Sequence, residues 1–186
     1  MTSSLPYLTP RTVAVPADFF AALRLPSGLD SSNVAMLRDA GFTAGEGLFG
    51  SFGQWLEARG DVPAEYLPDD RFGPLLGEFL EAAGWGAVRI TPLSDAVMAI
   101  DTTAWAEAEP GSGAATPGCH IGTGLLAGFL GKVADAPLSV LEVECRSMGA
   151  PRCRFLVGSV DVMQYVYEAI ARGVPYETAA ASATTG

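Results

Sequence analysis

The segment LEVECRSMGAPRCRF, residues 141–155, decides the fold together with GCHIGTGLLAGFLG, residues 118–131. These segments contain all three cysteines of the chain, Cys119, Cys145 and Cys153. Soft thiolates that lie close in sequence select zinc or a similar soft ion, and a carboxylate or imidazole can complete the tetrahedron of a structural site. The spacing therefore predicts a metal site with one further ligand.

The fourth ligand has three candidates: Glu142, Glu144 and His120, the only histidine of the chain. In a regular strand, residues three apart point to opposite faces, so Glu142 and Cys145 can share a metal only where the strand bends or ends. Glu144 is expected to face the same way as Glu142, and strand geometry leaves the choice between them open. His120 follows Cys119 on a predicted helix, where adjacent side chains point about 100° apart, so it is expected to face away.

A metal-free interpretation of the cysteines is the alternative. Cys119 and Cys153 would then be small buried hydrophobic residues, and Cys145 would be incidental. Against this, a thiol at the N-terminus of a helix ionises more readily, and Cys119 opens a predicted helix. This position favours metal ligation.

The same two segments resemble the 4-vinyl reductase domain family over residues 33–158. This family includes effector-sensing domains of aromatic-responsive bacterial transcription regulators, a protein of bacteriochlorophyll synthesis, and relatives of the TRAPP vesicle-tethering subunits. Its zinc-bearing members use three cysteines and one glutamate. That pattern fits Cys119, Glu142, Cys145 and Cys153 without insertion or deletion. The resemblance therefore implies a structural zinc ion at these four residues.

Composition limits the classes of function. The chain has 186 residues, 49% of them hydrophobic, which indicates one domain with a full core. No apolar run reaches the roughly 18 residues that span a bilayer. The formal net charge of −10 disfavours direct nucleic-acid binding. The N-terminus lacks a signal-peptide pattern and the cysteine count is odd, so we expect a cytoplasmic protein with free or metal-bound thiols.

The order of predicted elements favours an α+β fold: an antiparallel sheet of two hairpins covered by helices. Helical periodicity follows the cap residues near Asn33, Asp69 and Ser159, and a further helix begins at Cys119. The family resemblance implies the NO-signalling/Golgi-transport ligand-binding fold. The predicted boundaries are an N-terminal arm and short helix at 1–30, a single domain at 31–173 and a flexible tail at 174–186, with hairpin strands at 85–91, 95–102, 138–144 and 152–157.

Large aromatic side chains at helical spacing are usually core residues, but some of them are candidates for a ligand pocket. In the sensing members of the family, a histidine and a tryptophan before the first cysteine hold the polar group of an aromatic ligand. The corresponding places here fall near Asp70 and Met98, so a larger apolar ligand is expected. The candidate pocket residues are Phe52, Trp55, Phe72, Phe79, Met98, Trp105 and Phe129.

These observations predict a stand-alone domain that binds or senses a small apolar or aromatic molecule and contains a structural zinc ion. One alternative is an accessory or carrier protein in tetrapyrrole metabolism, in vinyl reduction of the bacteriochlorophyll type. Another is a structural scaffold resembling a TRAPP subunit. The sequence lacks nicotinamide, flavin and phosphate-loop motifs, so catalysis is not predicted. A homodimer and a separate signalling or enzyme partner are expected, because family relatives often pair.

Overall fold

The computed structural model describes residues 15–23 and 30–184. The arm predicted within residues 1–30 therefore lies largely outside the described residues. The short helix predicted there is present as α1, Asp18–Leu23. Its Phe20 is buried, and the ring centroid lies 5.3 Å from that of Trp85.

The described part of the chain contains six α-helices and four β-strands, which confirms the α+β class. Asp30 begins the longest helix as its N-cap, since its carboxylate accepts a hydrogen bond from the N–H of Asn33. After α1, the elements are α2 (Ser31–Ala58), α3 (Asp69–Ala82), β1 (Arg89–Pro92), β2 (Met98–Thr102), α4 (His120–Ala134), β3 (Leu138–Glu144), β4 (Cys153–Ser159), α5 (Val160–Ala171) and α6 (Tyr176–Ser182), with short 3-10 helices at Ala64–Tyr66 and Arg146–Met148.

The four strands form one antiparallel sheet in the order β1-β2-β4-β3. Both predicted hairpins are present, and β2 joins them by pairing with β4. Helix α4 connects β2 to β3, which run in the same direction with β4 between them. The end of β2, the end of β3 and the start of β4 therefore meet at one end of the sheet, where Thr102 lies opposite Cys153.

The first strand is shorter than predicted. The sequence predicts it from Trp85, but β1 begins at Arg89. Gly84 and Gly86 have φ values of 85° and 102°, so the chain turns before the strand starts. The Trp85 ring packs against Trp105, with centroids 5.3 Å apart.

Two hydrophobic cores lie on opposite faces of the sheet. Ile100 and Phe155 pack with α2, α3 and α4 in the larger core. Their strand neighbours Ala99 and Leu156 point to the other face and pack with α5 and α6. This alternation is the two-residue period of a strand with both faces covered. The sheet is therefore the middle layer of three.

Helices α2 and α4 pack at backbone contact through glycines. A Cβ built on Gly41 or Gly45 would overlap the carbonyl oxygen of Ile121 or Leu125. Reciprocally, a Cβ on Gly124 or Gly128 of α4 would overlap a carbonyl oxygen of α2. The contacts advance along both helices in the same direction, so the helices are parallel. These four glycines therefore serve close helix packing.

The prediction of a flexible tail at 174–186 is wrong for the segment that forms α6. Tyr176 begins this helix, and its hydroxyl donates to Glu144 and accepts from Arg154. Ala179 and Ala180 are 1% and 0% exposed in the core beside α5. The small side chains that suggested disorder instead allow the helix to approach the sheet layer closely. Residues 185–186 lie outside the described residues.

Candidate metal centre

The structure brings Cys119, Glu142, Cys145 and Cys153 together at one end of the sheet. Cys119 is the N-cap residue of α4, Glu142 and Cys145 come from the end of β3, and Cys153 begins β4. Their potential ligand atoms all lie within 4.8 Å of one another. All four residues are buried, with Glu142 at 7% and each cysteine at 0% exposure. The group that could hold a metal does not include His120.

A β-bulge explains how Glu142 and Cys145 reach the same site. In the pairing of β3 with β4, Glu142 lies opposite Phe155, but Glu144 lies opposite Arg154, and the register shifts between the two glutamates. The extra residue, Val143, reverses the alternation of side chains after Glu142. Residues 142 and 145 consequently point to the same face.

The expectation that Glu144 faces the same way as Glu142 is wrong because of this bulge. Glu144 lies on the opposite face, where it accepts hydrogen bonds from Arg152, at 2.9 Å, and from Tyr176. The pKa of Glu144 is lowered: burial opposes the shift, but the hydrogen bonds from Arg152 and Tyr176 outweigh it. Glu144 thus belongs to an ion-pair network under α6.

The carboxylate of Glu142 has one satisfied and one unsatisfied oxygen. Oε2 accepts a hydrogen bond of 2.9 Å from the backbone N–H of Cys119. Oε1 is fully buried and has no hydrogen-bond partner among the described residues. Burial, followed by the charge of Cys145, raises the pKa of Glu142 to about 8. A buried carboxylate oxygen without a donor is costly, and a cation among the thiols would relieve that cost.

The three thiols differ in acidity because they hydrogen-bond to one another. The pKa of Cys145 is lowered, since it accepts from Cys119 and then from Cys153. The pKa of Cys119 is raised by its hydrogen bonds to Cys145 and Cys153 and by burial. Cys153 Sγ also accepts the backbone N–H of Arg146 at 3.4 Å. A bound cation would favour the thiolate form of all three.

The donor set and spacing fit a tetrahedral soft ion such as zinc. Two sulfurs that each lie about 2.3 Å from a tetrahedral zinc are about 3.8 Å apart. The Sγ atoms of Cys119 and Cys145 are 3.9 Å apart. The unpartnered Oε1 of Glu142 supplies the fourth, oxygen ligand in this arrangement. Such a site would join α4 to the β3–β4 hairpin.

Two residues beside the cluster were missed by sequence reasoning, Glu107 and Ser147. They are 4% and 1% exposed and make hydrogen bonds to the segments that carry the cysteines. Glu107 falls in a segment predicted as a loop, where no periodicity marks a residue as buried. An acid in the otherwise apolar run AWAEAEP was the single available signal.

Five of the seven candidate pocket residues form one buried group of aromatic rings. Phe52 is at its centre, with ring centroids 5.1 to 6.3 Å from the other four. Trp105 is 2% exposed in the same core, but its ring contacts are with Trp85 and Phe155. Met98 is 39% exposed at the start of β2 and is not part of the buried group. The five grouped rings are Phe52, Trp55, Phe72, Phe79 and Phe129.

A surface groove of about 210 Å³ lies elsewhere, between α2, α4 and the edge strand β3. Phe42, 43% exposed, and Val140 are among its lining residues. None of the seven candidate pocket residues lines this groove.

The central part of the chain, from β2 to the end of β4, contains all four residues of the cluster. Residues 99–159 match the family model of the vinyl-4-reductase domain. This match confirms the resemblance to the 4-vinyl reductase family that the cysteine segments indicate. No curated protein sequence matches the chain.

Solved structures of three kinds of protein are similar over most of the chain. A vinyl-4-reductase family protein from Methanocaldococcus jannaschii is 19% identical, with a TM-score of 0.52, over 81% of this chain and 85% of that one. The phenol-responsive sensory domain of the transcription activator PoxR, with phenol, is 17% identical, with a TM-score of 0.56, over 88% and 84%. A trafficking protein particle complex subunit 3 from Naegleria fowleri, covalently bound to palmitic acid, is 15% identical, with a TM-score of 0.57, over 76% and 91%.

At these identities the likeness shows the fold, and the predicted relation to sensory domains and TRAPP subunits is confirmed at that level. Among residues 15–23 and 30–184, none of the helices is long and apolar enough to cross a membrane.

Proposed function

We propose that this chain is a module of the vinyl-4-reductase domain type that binds or senses a small apolar molecule and is stabilised by a zinc ion at Cys119, Glu142, Cys145 and Cys153. The observation that carries the zinc proposal is the convergence of four buried ligand residues within 4.8 Å. Of these, the carboxylate has one oxygen without a partner among the described residues. The likeness to a phenol-responsive sensory domain supports the binding role.

The zinc would be structural. Four protein ligands fill a tetrahedron and leave no position for water, which a catalytic zinc requires. The cysteines are each 0% exposed, so a substrate has no direct path to the ion. When bound, the ion would link the N-terminus of α4 to the β3–β4 hairpin, and the free energy of binding would add to the stability of the fold.

The ligand is expected to be apolar and larger than phenol. The places that correspond to the polar-group contacts of the sensing members hold Asp70, which is exposed, and Met98, which is 39% exposed. Neither is placed to hold a buried hydroxyl group. The aromatic group around Phe52 is the proposed binding region, and a ligand would enter by spreading rings that now contact one another.

A scaffold role similar to that of a TRAPP subunit is the second candidate, and a specific observation favours it. The five rings fill the space between α2, α3 and α4 with side chains rather than leaving it to a ligand. A carrier role in tetrapyrrole metabolism is a third. For all three, the proposed location is the cytoplasm, where thiols stay reduced, and the proposed assembly is a homodimer with a separate signalling or enzyme partner.

Native mass spectrometry with elemental analysis of freshly purified protein tests these proposals together. One zinc per chain and a retained apolar mass would support the binding module and define its ligand class. A retained coloured tetrapyrrole would favour the carrier. One zinc per chain without any retained or added ligand would favour the scaffold, whereas protein without metal would overturn the zinc proposal.

A further inference from the structure

Cys119 occupies the N-cap position of α4 but does not cap the helix. An N-cap side chain normally accepts a hydrogen bond from the second or third N–H of the helix. The Cys119 side chain makes no such bond. Its Sγ instead faces the cluster, 3.9 Å from Cys145 Sγ. The N-terminus of a helix left without acceptors is costly when buried, so another group must take these N–H donors.

Glu107 supplies the missing cap from the loop between β2 and α4. Its carboxylate accepts the N–H of Ile121 at 2.9 Å and the N–H of Gly122 at 2.6 Å. These are the second and third residues of α4, the positions that an N-cap side chain would serve. Glu107 is 4% exposed. It therefore fixes the first turn of α4 while Cys119 keeps its thiol for the cluster.

The same loop is attached to the other cysteine segment through Ser147. This residue lies in the 3-10 helix between Cys145 and Cys153, and it is 1% exposed. Its Oγ accepts the N–H of Glu109 at 2.9 Å. Its carbonyl oxygen accepts the N–H of Ala114 at 3.0 Å and the hydroxyl of Ser112 at 3.2 Å.

Glu107 and Ser147 lie at the two ends of one short bridge. Residues 107–114 connect the segment of Cys119 to the segment of Cys145 and Cys153 without using any ligand atom of the cluster. We propose that Glu107 and Ser147 are positioning residues for the centre of three cysteines and one glutamate, which hold its two halves at ligating distance before a metal binds. This inference rests on the proposed metal site.

The competing effect of charge makes the proposal sharp. Glu107 places a negative charge near the thiols, and that charge by itself opposes thiolate formation at Cys119. If Glu107 acted only through its charge, removing the charge would strengthen metal binding. If it positions Cys119, removing one of its two accepting oxygens would weaken binding. The sign of the change therefore separates the two roles.

The experiment uses the full chain with Glu107→Gln and Ser147→Ala, each measured in two ways. Zinc affinity is measured by competition with a chromophoric chelator, and cobalt(II) spectra report the ligand set. In the metal-free protein, the rate of reaction with a thiol reagent reports opening of the cluster directly, since the chain has three cysteines and all belong to it. The matched controls, Glu65→Gln and Ser182→Ala, make the same chemical changes at exposed positions.

We expect both variants to bind zinc roughly 10- to 100-fold more weakly, as is usual when partners of metal ligands are lost. We also expect the metal-free thiols to react roughly tenfold faster, because a buried hydrogen bond that closes the site is lost. The controls should match the parent in both measurements. Circular dichroism spectra like that of the parent would show that the variants are folded.

Three results would overturn the proposal. Unchanged or stronger zinc binding in Glu107→Gln, with unchanged thiol reactivity, would contradict positioning while leaving the metal site itself intact. Equal effects of the buried and exposed substitutions would assign the change to general destabilisation. A parent protein that binds neither zinc nor cobalt(II) would overturn the proposed metal site and this inference with it.

Discussion

Glu142 and Glu144 are two residues apart in β3 but lie on opposite faces of the sheet. The bulge at Val143 directs Glu142 to the cysteines and Glu144 to Arg152 and Tyr176. Each carboxylate therefore stabilises a different pair of elements: Glu142 holds α4 to β3, and Glu144 holds α6 to the sheet. Similar residues in one strand can thus be tested against each other.

Glu142→Gln and Glu144→Gln form a matched pair of changes. In Glu142→Gln, the neutral amide is a poorer zinc ligand than a carboxylate, so we expect zinc affinity to fall at least roughly tenfold. Glu144→Gln is expected to lower stability through its lost ion pair and to leave zinc affinity within about twofold of the parent. Chelator competition checks the affinities. Equal losses of affinity in the two variants would contradict the assignment of the fourth ligand.

Cys145→Ser tests the thiolate that holds the negative charge of the cluster. We expect loss of zinc and a melting temperature lower by about 10 °C. A ligand present at about a thousand times its Kd stabilises by about 4 kcal/mol, and each kcal/mol is worth about 2–4 °C in a chain of this size. His120→Ala should change the melting temperature much less, because His120 is outside the ligand group. Differential scanning calorimetry compares them, and equal small effects would contradict a structural zinc.

The residue scale also shows what sequence can and cannot provide. The three cysteines and Glu142 could be predicted because the family pattern specifies their spacing. Strand periodicity alone gave the wrong orientation for Glu144, since a bulge of one residue leaves no mark in the sequence. Glu107 could not be predicted, because its partners are backbone N–H groups 14 and 15 residues away.

At the scale of elements, α2 and α4 are held at backbone contact by glycines, but not every glycine of α2 serves that contact. A Cβ on Gly45 would overlap the carbonyl oxygen of Leu125, whereas a Cβ on Gly47 would have nothing within 4 Å. The glycine content of α2 therefore combines positions that packing requires with positions that lower helix stability without a packing reason in the described residues.

Gly45→Ala and Gly47→Ala are expected to change stability in opposite directions. Gly45→Ala forces α2 and α4 apart and should destabilise by about 1–3 kcal/mol or more. Gly47→Ala should stabilise by up to about 1 kcal/mol, because alanine has the higher helix propensity and the site is open. Urea unfolding of both variants measures the difference. A loss of stability at Gly47 equal to that at Gly45 would contradict the described packing.

Helix α6 depends on one polar anchor and a few alanines. Tyr176→Phe removes a hydroxyl that bonds to Glu144 and Arg154, and we expect a loss of about 1–3 kcal/mol. Hydrogen exchange of the α6 amides should be accelerated in this variant. Tyr167→Phe is the control, since Tyr167 is 57% exposed. Unchanged exchange in α6 after Tyr176→Phe would show that the hydroxyl does not anchor the helix.

The elements themselves were predictable where their patterns are long. The amphipathic α3 and α5, the two hairpins and the start of α4 follow from periodicity and cap residues. Helix α6 was missed because ETAAAS carries almost no hydrophobic pattern, and its burial depends on alanines that meet the α5 layer. The pairing of β2 with β4, which unites the hairpins, is a long-range contact that local sequence patterns do not specify.

At the scale of the whole molecule, the sheet separates two cores, and the metal centre lies at the end of the sheet where β2, β3, β4 and α4 meet. The larger core contains the aromatic group and the cysteines, whereas the smaller core contains α5 and α6. A zinc ion at this end would connect the layer of α4 to the sheet independently of the hydrophobic contacts. Its loss is therefore expected to affect the larger core first.

The most direct test of the central claim is X-ray absorption at the zinc edge of the purified protein. The account predicts one zinc per chain with three sulfur neighbours at about 2.3 Å and one oxygen neighbour at about 2.0–2.2 Å. A coordination shell made only of nitrogen and oxygen, or one with fewer than three sulfurs, would contradict zinc ligation by Cys119, Glu142, Cys145 and Cys153.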